Sequence, residues 1–94
     1  MKVRYTPAAQ NDLITIAEYS FEQWGTERAE RYVEGVDRTA QQLPELLGIT
    51  RAVEGYPELR RMHADRRVLF FRIVDEIVEV VRILHERMLP EENL

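Results

Sequence analysis

Apolar positions along the chain change their period twice. Between Lys2 and Thr6 they alternate, with Val3 and Tyr5 on one side and Lys2, Arg4 and Thr6 on the other, which predicts a short half-buried strand. Thr6-Pro7 then marks a helix start, with threonine as N-cap and proline at the first helical position, where its missing N–H costs nothing. From there the spacing is helical: Ala9, Leu13, Ile16, Ala17, Phe21 and Trp24 form one predicted buried stripe, with Asp12, Glu18 and Glu22 outside it. Gly25 supplies a left-handed stop and Thr26 a fresh N-cap, with Glu27 and Glu30 near the positive end of the new helix. The second stripe runs through Ala29, Tyr32, Val33, Val36, Ala40 and Leu43, and Pro44 ends or kinks it. A stop and a start this close together predict a helical hairpin.

Residues 44–58 carry Pro44, Gly48, Gly55 and Pro57 and are predicted as a loop with at most one helical turn, at Glu45–Leu47. Strand character follows at Leu59–Ala64, then more strongly at Arg67–Val74 and Ile77–Leu84, which are β-branched and aromatic. Asp75-Glu76 joins the last two, a weak two-residue turn for want of glycine, so a longer loop is equally compatible. Pairing Val74 with Ile77 would set Arg72 against Glu79. Both faces of this hairpin are largely apolar, so both need a cover, and the polar tail Glu91–Leu94 is expected to fray. The expected fold class is α+β, in the order β-α-α-β-β-β. A helical hairpin lies on one face of a small, mostly antiparallel sheet, and the first strand joins it at an edge or in the centre. Residues 1–94 are expected to form one domain.

Composition narrows the function classes. The chain lacks cysteine, which excludes a disulfide scaffold and a thiol enzyme. Its apolar runs are too short for a transmembrane helix, and Met1–Tyr5 leads into no secretory h-region, so the expected location is cytoplasmic. Net charge is −4, with one lysine, Lys2, among thirteen basic residues. That balance does not favour direct sequence-specific binding of nucleic acid. The bases are uneven: between Arg60 and Arg72, five arginines face the single acid Asp65, which implies a local anion-facing surface.

Motifs for phosphate loops, serine hydrolases and zinc proteases are absent, and no cofactor is expected. His63 and His85 lack a third metal ligand, so no metal site is expected. His85 is a candidate general acid or base, set against the reading of an ordinary half-exposed histidine. Arg82 lies inside an apolar run and needs an acidic or carbonyl partner, such as Glu86, a helix carboxylate or another protein. Arg60, Arg61, Arg72, Arg82, His85 and Arg87 are the candidate partner-binding residues; none is assigned a catalytic role. Phe21, Trp24, Tyr32, Phe70 and Phe71 are expected in the core.

Several segments carry a family resemblance. Tyr5-Thr6-Pro7-Ala8-Ala9 with Asp12-Leu13, then Tyr19, Trp24-Gly25, Ala29 and Tyr32, are followed by Leu59-Arg60 and Phe70-Phe71-Arg72. The most specific is Val81-Arg82-Ile83-Leu84-His85-Glu86-Arg87-Met88. Together they resemble the RelE/ParE toxin superfamily of type II toxin–antitoxin modules, and the ParE branch more than the RelE branch. The resemblance implies a RelE/ParE-like fold and a toxin neutralised by a ParD-like antitoxin. It also implies inhibition of DNA gyrase, with growth arrest or plasmid maintenance as the outcome and no enzymatic activity of its own. The RelE branch instead cuts ribosome-bound messenger RNA with basic residues and commonly a C-terminal tyrosine or histidine. Here no tyrosine follows Tyr56, and His85 with Arg82 and Arg60 would be the minimal nuclease set. Phe70-Phe71, where tyrosine is common, and Leu89-Pro90 after the methionine depart from the usual ParE pattern.

Overall fold

The computed structural model describes residues 1–94. Strand β1 (Lys2–Tyr5) leads into helix α1 (Pro7–Trp24) and helix α2 (Thr26–Leu46), and a 3-10 turn at Leu47–Ile49 follows. Strands β2 (Arg51–Val53), β3 (Tyr56–Ala64), β4 (Arg67–Val74) and β5 (Ile77–His85) come next, and a short helix α3 (Pro90–Asn93) ends the chain. The sheet has five strands in the order β1-β5-β4-β3-β2, with β1 parallel to β5 and the rest antiparallel. The fold is therefore α+β, two helices on a mostly antiparallel sheet, as the patterning predicts. The first strand occupies an edge.

Thr6 caps α1 as predicted, its Oγ1 accepting from the Ala9 N–H at 3.1 Å. Gly25 alone joins the two helices. Its φ of 84° and ψ of 175° form a backbone conformation open essentially to glycine, its N–H donates to the Phe21 carbonyl, and its own carbonyl receives the Ala29 N–H. Thr26 is consequently the first residue of α2 and not its cap, because the stop residue of one helix also serves as the N-cap of the next. Pro44 sits inside α2, which runs only two residues further before tightening into the 3-10 turn.

One further prediction differs, and one is met. The expected loop at 44–58 contains β2, a three-residue edge strand with an irregular register between Ala52 and Val53, too short to show alternation. The turn between β4 and β5 is the two-residue form: Val74 pairs with Ile77, and Asp75 (φ 50°) and Glu76 (φ 62°) both adopt left-handed backbone. Arg72 consequently lies opposite Glu79, with the charges 2.7 Å apart.

The main core lies between helices and sheet, where Ile16, Val36, Ala40, Leu43, Leu69, Phe71, Val78, Val80 and Ile83 pack together. Val80 and Ile83 reach the same side because β5 carries a bulge. Phe70 pairs with Arg82 and Phe71 with Val80, so Val81 is the extra residue and the alternation shifts by one. A smaller cluster (Val53, Leu59, Val68, Phe70 and Leu84) fills the opposite face of the sheet, where Tyr56, Val81 and the terminal Leu94 pack on it. The apolar second face predicted from β4 and β5 is thus closed partly by the chain's own C-terminus, which is folded into α3 rather than frayed.

Candidate functional site

Strand β1 accompanies β5 only as far as Val80, and α1 then leaves the sheet. The exposed edge of β5 beyond that point is completed by side chains of the departing helix. The Thr6 N–H donates to the Val80 carbonyl and Thr6 Oγ1 to the Val81 carbonyl, at 3.0 and 2.9 Å. Asp12, further along α1, receives the Ile83 N–H at 2.8 Å and grips Arg82 bidentately, from Nε at 2.8 Å and from Nη2 at 3.0 Å. Arg82 also donates to the Asn93 carbonyl, which fastens the C-terminal helix. The hydrogen bonds that Arg82 donates to Asp12 hold its pKa above its ordinary value. Arg82 thus finds the helix carboxylate that was one of its expected partners, and not Glu86.

The other strand arginines are also engaged. Arg60 donates to the hydroxyl and carbonyl of Thr50, both at 2.6 Å, and ties β3 to the segment that follows α2. Arg72 and Arg4 converge on opposite oxygens of the buried Glu79, and the Arg72 hydrogen bond is the largest of the effects that hold this carboxyl below its usual range. Tyr5, half-buried, donates to Asp37 of α2, and burial with that acidic neighbour keeps it un-ionised well beyond the ordinary tyrosine range.

Three candidates remain free of such ties. Arg61, half-buried, lines a shallow hollow with Ile49, Arg51, Met62 and His63. Arg87 is exposed, and its backbone N–H donates to His85 Nδ1 at 3.1 Å. His85 itself ends β5 at the wall of an open cleft of about 790 Å³. The six candidates therefore do not meet in one place. His63 and His85 line different hollows, and no three His, Asp or Glu side chains gather in a way that would hold a metal ion.

The cleft is the feature that residue patterns did not isolate. One wall comes from Thr15, Ile16 and Tyr19 of α1, a second from Trp24 with Arg28, Arg31 and Tyr32 of α2, and a third from Asp65, Arg66 and Arg67 at the β3–β4 turn. The Arg28 guanidinium sits 4.8 Å from the Trp24 ring centre, Trp24 meets Tyr32 edge to face at 5.8 Å, and Arg67 lies 5.8 Å from the Tyr32 ring. Cations and rings alternate along this wall. Trp24 and Tyr19 are accordingly 42% and 52% exposed, and Trp24 is not in the core as predicted.

The outer flank of the hairpin has different chemistry. Ile14 and Phe21 are 57% and 56% exposed, and Phe21 borders an apolar groove with Ala17, Ala29 and Val33, rimmed by Glu30 and Glu34. Phe21, predicted in the buried stripe, lies on the edge of that stripe and faces out.

A two-helix hairpin on a five-strand sheet whose first strand runs parallel to its last is an arrangement this chain shares with chains from two toxin–antitoxin systems. It superposes on a chain of a chromosomal ParDE toxin–antitoxin system from Pseudomonas aeruginosa with a TM-score of 0.81 at 21% identity, covering 90% of this chain and 95% of that one. It also matches a chain of the RelBE2 toxin–antitoxin complex from Mycobacterium tuberculosis, with a TM-score of 0.63 at 21% identity over 89% and 95% of the two chains. These likenesses establish the fold. Residues 3–90 match the family described as the ParE toxin of the type II toxin–antitoxin system, parDE. The chain is 34% identical to Toxin ParE1 of Mycobacterium tuberculosis over the full length of both. It belongs to the ParE toxin family.

Proposed function

We propose that this chain acts as a protein toxin that arrests growth by inhibiting DNA gyrase in the cytoplasm and is silenced by a ParD-like antitoxin. The observation that carries this reading is the exposed apolar flank of the hairpin at Ile14 and Phe21, beside a groove floored by Ala17, Ala29 and Val33. Exposed apolar surface of this kind suits capture of a partner's amphipathic segment. Arg60, Arg72 and Arg82 act in this reading as framework, since each is already satisfied inside the chain. Arg61, His85 and Arg87 are left to meet partners directly. Residues 1–94 work as one unit, because Asp12 and Arg82 join its two ends.

A RelE-like endoribonuclease is the second reading, favoured by the position of His85 beside Arg66 and Arg67. Arginine titrates too high to move protons at neutral pH, so His85 would carry the acid–base work. Purified toxin freed of its antitoxin is expected to block supercoiling of relaxed plasmid by gyrase or to trap cleaved DNA, and to leave messenger RNA on translating ribosomes intact. Ribosomal A-site cleavage that vanishes in His85→Ala, with gyrase unaffected, would overturn the gyrase reading and establish the nuclease.

A further inference from the structure

We propose that the cleft between the open end of the helical hairpin and the β3–β4 turn binds single-stranded nucleic acid without sequence preference. In this mode bases stack on Trp24, Tyr32 and Tyr19, and phosphates meet Arg28, Arg66 and Arg67. Such binding is independent of any action on gyrase.

The chain carries a net charge of −4, yet the cleft wall gathers Arg28, Arg31, Arg66 and Arg67 against the single acid Asp65. The ion pairs of the fold are Arg4–Glu79, Arg31–Glu27, Arg72–Glu79 and Arg82–Asp12, so Arg28, Arg66 and Arg67 have no carboxylate partner. Arg31 pairs only with exposed Glu27 one turn away on the same helix, an exchangeable contact. Arg4, Arg60, Arg72 and Arg82 of the sheet are matched to internal acceptors and Arg51 and Arg61 line a separate hollow, whereas these cations share the cleft with exposed rings.

Aromatic rings share that hollow. Cations on one wall with exposed rings suit a ligand that alternates negative charge with flat apolar faces. Arg28 and Arg67 already rest on the faces of Trp24 and Tyr32, the positions a stacked base would share or take. An acidic peptide would satisfy the charges and leave the ring faces without a matched partner. A strand of nucleic acid satisfies both, since every base has a π-face and every linkage a phosphate. The cleft is open to solvent and not an enclosed cavity, so a ligand longer than the contacted segment is not confined by it. Asp12 and Arg82 tie α1 to β5, and the Glu86 N–H ties the β3–β4 turn to the end of β5 through the Arg66 carbonyl, so two of the walls are held in place before the ligand arrives.

The test uses the chain's one tryptophan, Trp24, as an intrinsic reporter. Purified toxin is titrated with oligo-dT and oligo-U of about eight nucleotides, a length within the usual range for one single-strand site. Both are expected to quench Trp24 emission; a preference for one would identify deoxyribose or ribose as the natural sugar. Three phosphate contacts predict that raising salt from about 50 to 200 mM weakens binding roughly ten- to twenty-fold. Arg66→Gln and Arg67→Gln, each confirmed folded by thermal melting, should each flatten the salt dependence. Tyr32→Ala, followed by anisotropy of a labelled oligonucleotide, should weaken binding about ten-fold. Absence of quenching at low salt would overturn the proposal. So would an Arg66→Gln/Arg67→Gln double variant that binds like the parent, or a polyglutamate peptide of equal length that competes as well as the oligonucleotides.

Discussion

Asp12 does at one position what a longer β1 would otherwise do. Its carboxylate takes a strand N–H and a bidentate guanidinium at once, and its side chain is only 13% exposed. Removing it strands a half-buried arginine and an edge amide together. Asp12→Ala should therefore cost about 2–4 kcal/mol. For a domain of this size that lowers Tm by roughly 10–20 °C, measurable by circular dichroism, and Asp12→Asn should lose less because it keeps an acceptor. A melt within two or three degrees of the parent would remove the carboxylate from the framework. Arg82 announced its need for a partner in the sequence, a guanidinium among valines and isoleucines. Asp12 announced nothing, being 70 residues away on the polar side of a helical stripe. Trp24 misled in the opposite sense. Helical spacing placed it in the core, but spacing fixes only an angle around the axis, and at the last turn before Gly25 no sheet lies beneath that angle. At 42% exposed, Trp24→Ala should cost about 1–2 kcal/mol by thermal melting, well below the roughly 3–5 kcal/mol expected of a fully buried tryptophan.

At the scale of elements, the β4–β5 hairpin stores a cost and offsets it a few residues away. Asp75 and Glu76 both hold positive φ with no glycine between them, the two-residue geometry that asparagine-glycine adopts with least strain. The double substitution Asp75→Asn/Glu76→Gly should stabilise the hairpin by about 1 kcal/mol and raise Tm by roughly 4–8 °C. An unchanged Tm would mean the turn is not strained. The register that this turn enforces places Glu79 between Arg72 and Arg4. Its carboxyl titrates below the ordinary value when folded, so the ion cluster adds stability above the unfolded pKa and loses it as pH falls through the lowered folded one. Thermal melts from neutral pH down into the carboxylate range should show Tm falling in acid, with Glu79→Gln less stable at neutral pH and shallower in its decline. Identical acid slopes in the two proteins would exclude Glu79 as the group responsible. Strands β1, β4 and β5, most of β3, the helical hairpin and the Arg72–Glu79 pairing were legible from periodicity, because each rests on local alternation or spacing. β2 was not, since three residues held by one neighbour leave no period to read, and the bulge at Val81 was masked by a run apolar on both sides.

Across the whole molecule, surface character divides by face. The cleft beside the β3–β4 turn is cationic and aromatic, while the outer flank of the hairpin is apolar with an acidic rim at Glu30 and Glu34. Neither face was fully legible as a site: the basic run from Arg60 to Arg72 pointed to an anion-facing surface, but the rings and arginines that complete the cleft come from the helical hairpin, far from that run in sequence. Only the chain's path brings them together. The two faces also predict different partners. An antitoxin segment laid in the apolar groove should present apolar side chains to Phe21 and Val33 and basic ones to the glutamates at the rim. Phe21 is 56% exposed and contributes little to the core, so Phe21→Glu should leave Tm within a few degrees of the parent. The same change puts a third carboxylate beside the acidic rim and removes an aromatic anchor. It should weaken capture of the cognate antitoxin at least ten-fold by calorimetry, a loss of about 1.4 kcal/mol. His85→Ala, at the cleft, should leave that affinity unchanged. If the reverse is found, with antitoxin binding lost at His85 and kept at Phe21, the antitoxin occupies the cleft and the hairpin flank is left for another partner.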